Sequence, residues 1–466
     1  MNKPKKTPPT RGPACLRVLL AAALGALVLL PAARCRGPLG KKGIILVVLD
    51  SLRRDHLSHF GYERAVSPFL DGLMREGILF RNAYAAAPQT VPSVSSLITG
   101  LYPYRHGSHF FSEGQSYHPT RPVSDGGLPL VREDNLLLAE AFKEKGYRTA
   151  MATSNPGVRD IYGFAQGVEH YRYIDCFSES AAGFCDGLEV NKLLAEDILP
   201  KVEDDGFFIF LHYMDVHYPY YKPHSFRGRF MEFRGEPYYL NGPAPSLPEE
   251  DLAYSQACYD EGIAHQDEVL KDLFGILERS GRREDTLVVI VSDHGDEFLE
   301  HGGLGHGTTC YNELIHSFIL LSNPRLAARS VETPVSLVDV FPTLLEWAGI
   351  RPPKNIDGVS LRRLLTGRGG APSGKPRVFI SELGDIKTLI DGSLKFIHHF
   401  KRETAELYDL DADPGEREDL SSRKREETVR STAELRVLFR KMAVSYLEGR
   451  LDEKERQNLR SLGYIR

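Results

Sequence analysis

The sequence has little excess charge, few cysteines and no long hydrophobic run, and each shortage narrows the field. A net charge of −5 over 466 residues argues against the basic footprint of a nucleic-acid binder and against a polybasic membrane contact. None of the six cysteines pairs at the spacing of a zinc knuckle, so a structural zinc scaffold is not indicated. The longest apolar run, residues 18–30, is too short to span a bilayer comfortably. No internal repeat is present. With 42% apolar residues, the chain can still bury a large core, as one big domain or two unequal ones.

Lys3, Lys5, Lys6, Arg11 and Arg17 precede that apolar run, the charged and hydrophobic regions of an export signal read over residues 1–34. Cleavage after Ala33 delivers a periplasmic or extracellular protein. Lipid attachment at Cys35 is an alternative that Arg34 disfavours, and an uncleaved anchor is another. Cys15 and Cys35 belong to this leader. Cys176 and Cys185 flank a short polar segment and suit a small disulfide loop in an oxidising compartment, while Cys258 and Cys310 read as buried thiols.

Beyond the leader, residues 43–49 read GIILVVL, a continuous apolar run that suits a buried strand of a parallel sheet. It ends at Asp50-Ser51. A short helix is expected from Ser67-Pro68. In residues 82–107, Thr90-Val91-Pro92-Ser93 reads as a helix start with Thr90 as N-cap, stopped at Gly100. A helix over residues 136–145 closes at Gly146, and strands follow over 147–154 and 207–213, the latter ending at Asp215-Val216-His217. A long helix over 249–279 carries Leu252, Tyr259, Ile263, Leu270, Leu273 and Leu277 on one face. A strand over 286–291 ends at Ser292-Asp293-His294-Gly295. Residues 318–321 read as a buried strand and 336–348 as a helix stopped by Gly349.

Helix, glycine and strand in alternation predict an α/β fold. Residues 43–365 form its catalytic domain. A linker rich in Gly and Pro leads to a smaller C-terminal subdomain over 376–466, with short strands near 378–381, 387–390, 394–398 and 405–410 and a charged helical tail. Between His217 and Glu249 the chain lacks periodicity and is rich in Tyr, Phe, Arg and Pro. So long a loop reads as a lid or substrate wall.

Asp50, Thr90, Asp293 and His294 all fall at strand or helix ends on one expected sheet edge, where α/β proteins bind ligands. Two carboxylates, an imidazole and a hydroxyl make a coordination set for one divalent ion. The imidazole favours manganese or zinc, with calcium or magnesium as alternatives.

The stretches Asp50-Ser51-Leu52-Arg53-Arg54-Asp55-His56, Thr90-Val91-Pro92-Ser93 with Leu97-Ile98-Thr99-Gly100, Ser292-Asp293-His294-Gly295-Asp296-Glu297 and Gly305-His306-Gly307 resemble the sulfatase family of the alkaline phosphatase superfamily. The likeness continues to the C-terminus. It implies an alkaline-phosphatase-like sandwich, with a large, mainly parallel central sheet flanked by helices and a smaller C-terminal domain with an antiparallel sheet. By position, Asp50, Asp293 and His294 match metal ligands and Thr90 the nucleophile, itself a fourth ligand. His217 matches a substrate-side histidine, whereas His306 falls where many sulfatases carry a lysine that contacts the sulfate and phosphorus-handling relatives often carry a histidine. Either histidine is expected to protonate the leaving alcohol, and Arg105 is read as a substrate contact.

The departures bear on substrate. The resemblance implies a cysteine or serine at the Thr90 position, oxidised to formylglycine; oxidised threonine would be a ketone. Val94 replaces an arginine, and Ser51 a second aspartate. Thr90 is instead similar to the nucleophile of threonine-using phosphoesterases and transferases of the superfamily. The expected function is thus hydrolysis, with transfer as a variant, of phosphate or phosphonate esters. A sulfuric ester hydrolase acting on a sulfated glycan or aryl ester, and a silent binding protein on the same fold, are the alternatives. The expected partner is an anionic ester, such as a glycan or lipid head group, with membrane contact confined to the N-terminal signal or an anchor.

Overall fold

The GIILVVL run forms β1 (Gly43–Leu49), all seven residues buried, in the middle of a large sheet. The structure, a computed structural model, describes residues 1, 43–108, 131–176, 186–202, 206–220, 225–238, 242–243, 246–366 and 377–450, with side chains of the last helix as far as residue 439. The export signal, with Cys15 and Cys35, lies outside the described residues, as do Cys185, Tyr239 and most of the expected linker. Cys176 is disulfide-bonded, whereas Cys258 and Cys310 are free and buried.

Among the described residues the sheet has nine strands: β1, β2 (Ile78–Tyr84), β3 (Arg148–Thr153), β4 (His170–Tyr173), β5 (Phe207–Tyr213), β6 (Thr286–Ser292), β7 (His316–Ser322), β8 (Arg329–Val331) and β9 (Val335–Ser336). Their order is β8-β2-β7-β6-β1-β5-β3-β4, with β9 also on β2. Among the described strands β7 alone runs against the rest, which makes the sheet mixed but mainly parallel. β1 pairs in parallel with both β5 and β6. The chain therefore leaves all three neighbouring strands at the same edge.

Alternation along β1 divides it between two layers. Ile44, Leu46 and Val48 face the core shared with α2 (Thr90–Thr99) and, further along the chain, the helix Val340–Trp347. Ile45, Val47 and Leu49 face the core shared with α1 (Pro68–Glu76) and α3 (Glu249–Arg279). Each such buried aliphatic side chain contributes about 1.5–3 kcal/mol of transfer free energy, so a strand with no polar face is stable only between two helical layers. α3 matches its expected bounds and buries Tyr259, Ile263, Leu270, Leu273 and Leu277.

The C-terminal strands β10 (Val378–Leu383), β11 (Ile386–Asp391), β12 (Leu394–His399) and β13 (Thr404–Asp409) form an antiparallel meander. The helix Arg425–Arg450 covers it, Leu435 meeting Leu389, Phe396 and Leu407. Contacts join this sheet and the large one in one unit, Lys41–Arg466. At the junction the buried Lys395 ammonium sits 2.7 Å from Glu416 Oε1 and donates to Asn312 Oδ1 at 3.1 Å. No described helix is long and apolar enough to cross a membrane.

Several elements differ from expectation. β2 and β4 were not anticipated, because Arg81 and Asn82 interrupt the first and the second is a half-buried HYRY at the sheet's end. Helix α2 begins one residue early: extended Gln89 is its N-cap and Thr90 its first residue. Thr90 is therefore released from capping, and its hydroxyl points elsewhere.

Candidate metal centre and active site

Parallel pairing sets Leu49 opposite Ser292, so the next residues, Asp50 and Asp293, emerge side by side. Asp50 Oδ2 accepts a hydrogen bond from Asn155 Nδ2 at 2.7 Å, and Oδ1 accepts from Ser51 Oγ at 3.1 Å. Asp293 Oδ1 accepts from the backbone N–H of Ser51 at 3.2 Å and of His294 at 2.9 Å. Its other oxygen, Oδ2, is buried and has no hydrogen-bond partner among the described residues.

His294 Nδ1 donates to the Gly295 carbonyl at 3.0 Å, which leaves the Nε2 lone pair facing inward. That nitrogen lies 3.7 Å from Asp50 Oδ1, 3.6 Å from Asp293 Oδ2 and 3.1 Å from Thr90 Oγ1. Thr90 Oγ1 is also 3.5 Å from Asp50 Oδ1. Ser93 Oγ donates to the Asp293 carbonyl at 2.8 Å, which ties the first turn of α2 to the same loop. The α2 N-terminus thus faces the cluster, where backbone N–H groups and the helix dipole favour negative charge.

Charge in this dry cluster does not balance within the protein. Burial would raise the Asp50 carboxyl, but His217, His212, His294 and His306 outweigh it and hold the group below the usual carboxylate range. Burial and then the Asp50 charge push the Asp293 carboxyl well above that range. His294 is pushed down to about 3, by burial and then by His306. Two carboxylates and a neutral imidazole, with one carboxylate oxygen unpartnered, are donors short of a cation. Asp50, Asp293 and His294 fit a divalent ion, each offering an atom within 4.8 Å of the others, and Thr90 Oγ1 stands beside them.

A second layer was only partly anticipated. His306 Nδ1 donates to Asp296 Oδ1 at 2.6 Å, and Tyr220 Oη donates to Asp296 Oδ2 at 2.5 Å. Although burial opposes its charge, Asp296 raises the His306 pKa above its ordinary value. The contact is too short to hold an ion between the two groups, so Asp296 orients His306 through a proton. The His306 ring centre is 4.5 Å from that of His294 and 5.2 Å from that of His217. His217, whose Nδ1 donates to the Tyr218 carbonyl at 2.6 Å, has its pKa lowered by burial, which outweighs the nearby Asp50 and Asp296. His212, fully buried and pushed down to about 4 by burial, stands 3.7 Å from Asp50 Oδ2, beyond hydrogen-bond reach.

The structure therefore brings Asp50, Thr90, Asp293, His294, His306 and His217 together. It does not bring Arg105 to them through any hydrogen bond: that guanidinium donates to Asp357 Oδ1 at 2.8 Å and to the Asn355 side chain at 2.7 Å, a structural tie. Val94, at the place of the family's arginine, is fully buried in the apolar core. Asn155, Asp296 and Tyr220 went unassigned in the sequence. Asn155 follows β3 at the same sheet edge, and Asp296 stands inside the Asp293 segment, so strand-end position was an available signal for both.

The sulfatase family model matches residues 42–350. The multifunctional alkaline phosphatase superfamily protein PehA of Trinickia caryophylli is 25% identical over 436 residues, covering 74% of this chain and 79% of PehA. An arylsulfatase of Clostridium perfringens is 23% identical over 485 residues, covering 88% of this chain and 95% of that enzyme. In fold the chain is similar to the phosphonate monoester hydrolase of Agrobacterium radiobacter, with a TM-score of 0.66 at 19% identity over 87% of this chain and 96% of that one. With that match and a mixed α/β sheet carrying its donor set at one edge, the chain belongs to the sulfatase family of the alkaline phosphatase superfamily.

Proposed function

We propose that this chain is an exported hydrolase of phosphate or phosphonate esters that uses Thr90 as its nucleophile. The observation that carries the reading is the position of Thr90 Oγ1, at the first residue of a buried helix, 3.1 Å from His294 Nε2 and 3.5 Å from Asp50 Oδ1. A threonine cannot yield the aldehyde that a formylglycine mechanism needs, and its hydroxyl is a weak nucleophile unless activated. Asp50, Asp293, His294 and Thr90 would hold a divalent cation, which when bound would lower the hydroxyl pKa and offset negative charge on the ester.

The chain's own groups do the rest. Thr90 Oγ1, its proton lost to solvent, attacks phosphorus in line, while the α2 N-terminus faces the charge that builds on the phosphoryl oxygens. His306, whose pKa Asp296 raises against burial, gives a proton to the departing alkoxide. Of the two histidines His306 suits the acid, since burial lowers the pKa of His217. Water then attacks the phosphothreonine ester, with His306 as base, and Thr90 is restored; an acceptor alcohol in place of water would make the reaction a transfer.

An anionic substrate with an extended body, a glycan or lipid head group, agrees with the loop after His217. There Arg227 stacks on Phe233 at 3.9 Å, and Phe233 and Tyr238 are exposed. PehA and the phosphonate monoester hydrolase support phosphorus chemistry. The arylsulfatase likeness favours sulfuric esters as the second reading, against which Thr90 stands. The test is turnover of an aryl phosphate diester, phosphonate monoester and sulfate by protein loaded with manganese or zinc, beside Thr90→Ala. Phosphorus-ester turnover lost in the variant supports the proposal, and turnover of the sulfate alone overturns it.

A further inference from the structure

Ser51 follows the ligand Asp50 directly and adopts a left-handed backbone conformation, φ 59°, that a residue with a Cβ seldom takes. Its neighbours explain how the turn is held. The Tyr259 hydroxyl donates to the Ser51 carbonyl at 2.7 Å and accepts the Arg53 backbone N–H at 2.7 Å, so a single phenol oxygen closes the turn from behind. On the front, the Ser51 N–H donates to Asp293 Oδ1 at 3.2 Å. The peptide units on either side of Ser51 thus link Tyr259 to both carboxylates of the centre.

Tyr259 is itself fixed. It is fully buried in the middle of α3, and its ring is wedged against Phe298, His56 and Tyr220 at centroid separations of 5.1, 5.2 and 5.4 Å. Arg53, on the far side of the turn, is pinned by Glu300 at 2.6 Å, Asp55 at 2.7 Å and the Asp296 carbonyl at 3.0 Å. A turn with both flanks clamped can hold an unfavourable φ only while its central contacts persist. Outer contacts of this kind set the direction of ligand side chains and through it metal affinity.

We infer that Tyr259 is a positioning residue for the metal centre, holding Ser51 left-handed so that Asp50 and Asp293 converge on one ion; this rests on the reading of Asp50, Asp293 and His294 as ligands. The experiment is Mn2+ binding by titration calorimetry to chelator-stripped full-length protein, with thermal unfolding measured in parallel. Tyr259→Phe keeps the ring and removes only the hydroxyl. It is expected to weaken Mn2+ binding about 10-fold or more.

Backbone strain as the cause is tested in two further backgrounds. In Ser51→Gly the left-handed conformation needs no clamp, so adding Tyr259→Phe should weaken binding far less. Ser51→Ala loses the same hydroxyl but keeps the strain, and there the 10-fold loss should persist. Equal Mn2+ affinity of wild type and Tyr259→Phe, or equal losses in the glycine and alanine backgrounds, overturns the inference. Should Tyr259→Phe lower the unfolding temperature, the comparison of backgrounds still decides, since general loosening is not relieved by glycine at residue 51. Wild-type protein that takes up no Mn2+, Zn2+, Ca2+ or Mg2+ overturns the ligand assignment and this inference with it, whereas uptake unaffected by Tyr259 overturns this inference alone.

Discussion

His306 and Asp296 share a 2.6 Å hydrogen bond in which the carboxylate raises the imidazole pKa against the opposing effect of burial, with Tyr220 holding the second carboxylate oxygen. The pair stands beside the donor cluster, His306 being 4.5 Å from His294 between ring centres. If His306 is the acid, loss of Asp296 should matter in proportion to the leaving group's need for a proton. Asp296→Asn is expected to slow hydrolysis of alkyl esters by about 10²–10⁴-fold and that of activated aryl esters far less. Rates for a series of esters graded by alcohol pKa provide the check, and a uniform loss across the series would argue that Asp296 is only structural.

A second prediction concerns metal removal. Asp50 and Asp293 meet in a fully buried site, a repulsive arrangement once the cation is taken away. Stripping the wild type with a chelator should lower its unfolding temperature. Asp293→Asn removes the repulsion, so its metal-free form should unfold at a higher temperature than metal-free wild type. It should also respond weakly to added manganese or zinc. Differential scanning calorimetry with and without metal reads both effects.

The pH dependence of stability should carry a signature from His301, a group outside the donor cluster. Its Nδ1 contacts Glu313 Oε1 at 2.6 Å and its Nε2 the Glu416 carbonyl at 3.1 Å. Burial opposes the charge, but Glu313 overrides it and raises the pKa from 6.5 to about 9. A pKa raised on folding stabilises fully below the unfolded value of 6.5, and that contribution disappears as pH rises through about 9. Its size is on the order of a few kcal/mol. Glu313→Gln should therefore destabilise the protein at pH 6 and make little difference near pH 10. Urea unfolding across that range checks the sign, and an equal loss at both ends would contradict it.

How much of this was legible from sequence depended on how local each signal was. β1 was readable because seven apolar residues in a row have no alternative home, and α3 because its period holds over its whole length. β2 and β4 escaped because charged or polar residues within them are accommodated only by their place near the sheet's ends. The candidate ligands Asp50, Asp293 and His294 were readable as strand-end residues, since a parallel sheet delivers its strand ends to one edge. Thr90 was placed one residue off, as Gln89 is an unusual cap while threonine is a common one. Arg105 looked free to meet a substrate because its partner, Asp357, lies 252 residues away. Tyr259 illustrates the same limit. Its helical period marks it as a core residue, but nothing local tells that its hydroxyl reaches the turn after Asp50.

The central claim is covalent chemistry at Thr90, and the most direct measurement is the mass of the nucleophile peptide after rapid acid quench. His306→Ala, loaded with manganese or zinc and mixed with an activated aryl phosphate diester, should form the ester at Thr90 without needing leaving-group protonation and then hydrolyse it slowly. The account predicts that the peptide containing Thr90 gains the mass of the substrate less its aryl alcohol, with the modification on Thr90 and none in Thr90→Ala. Turnover of the ester with the peptide unmodified at every time point, or with the adduct on another residue, would contradict it.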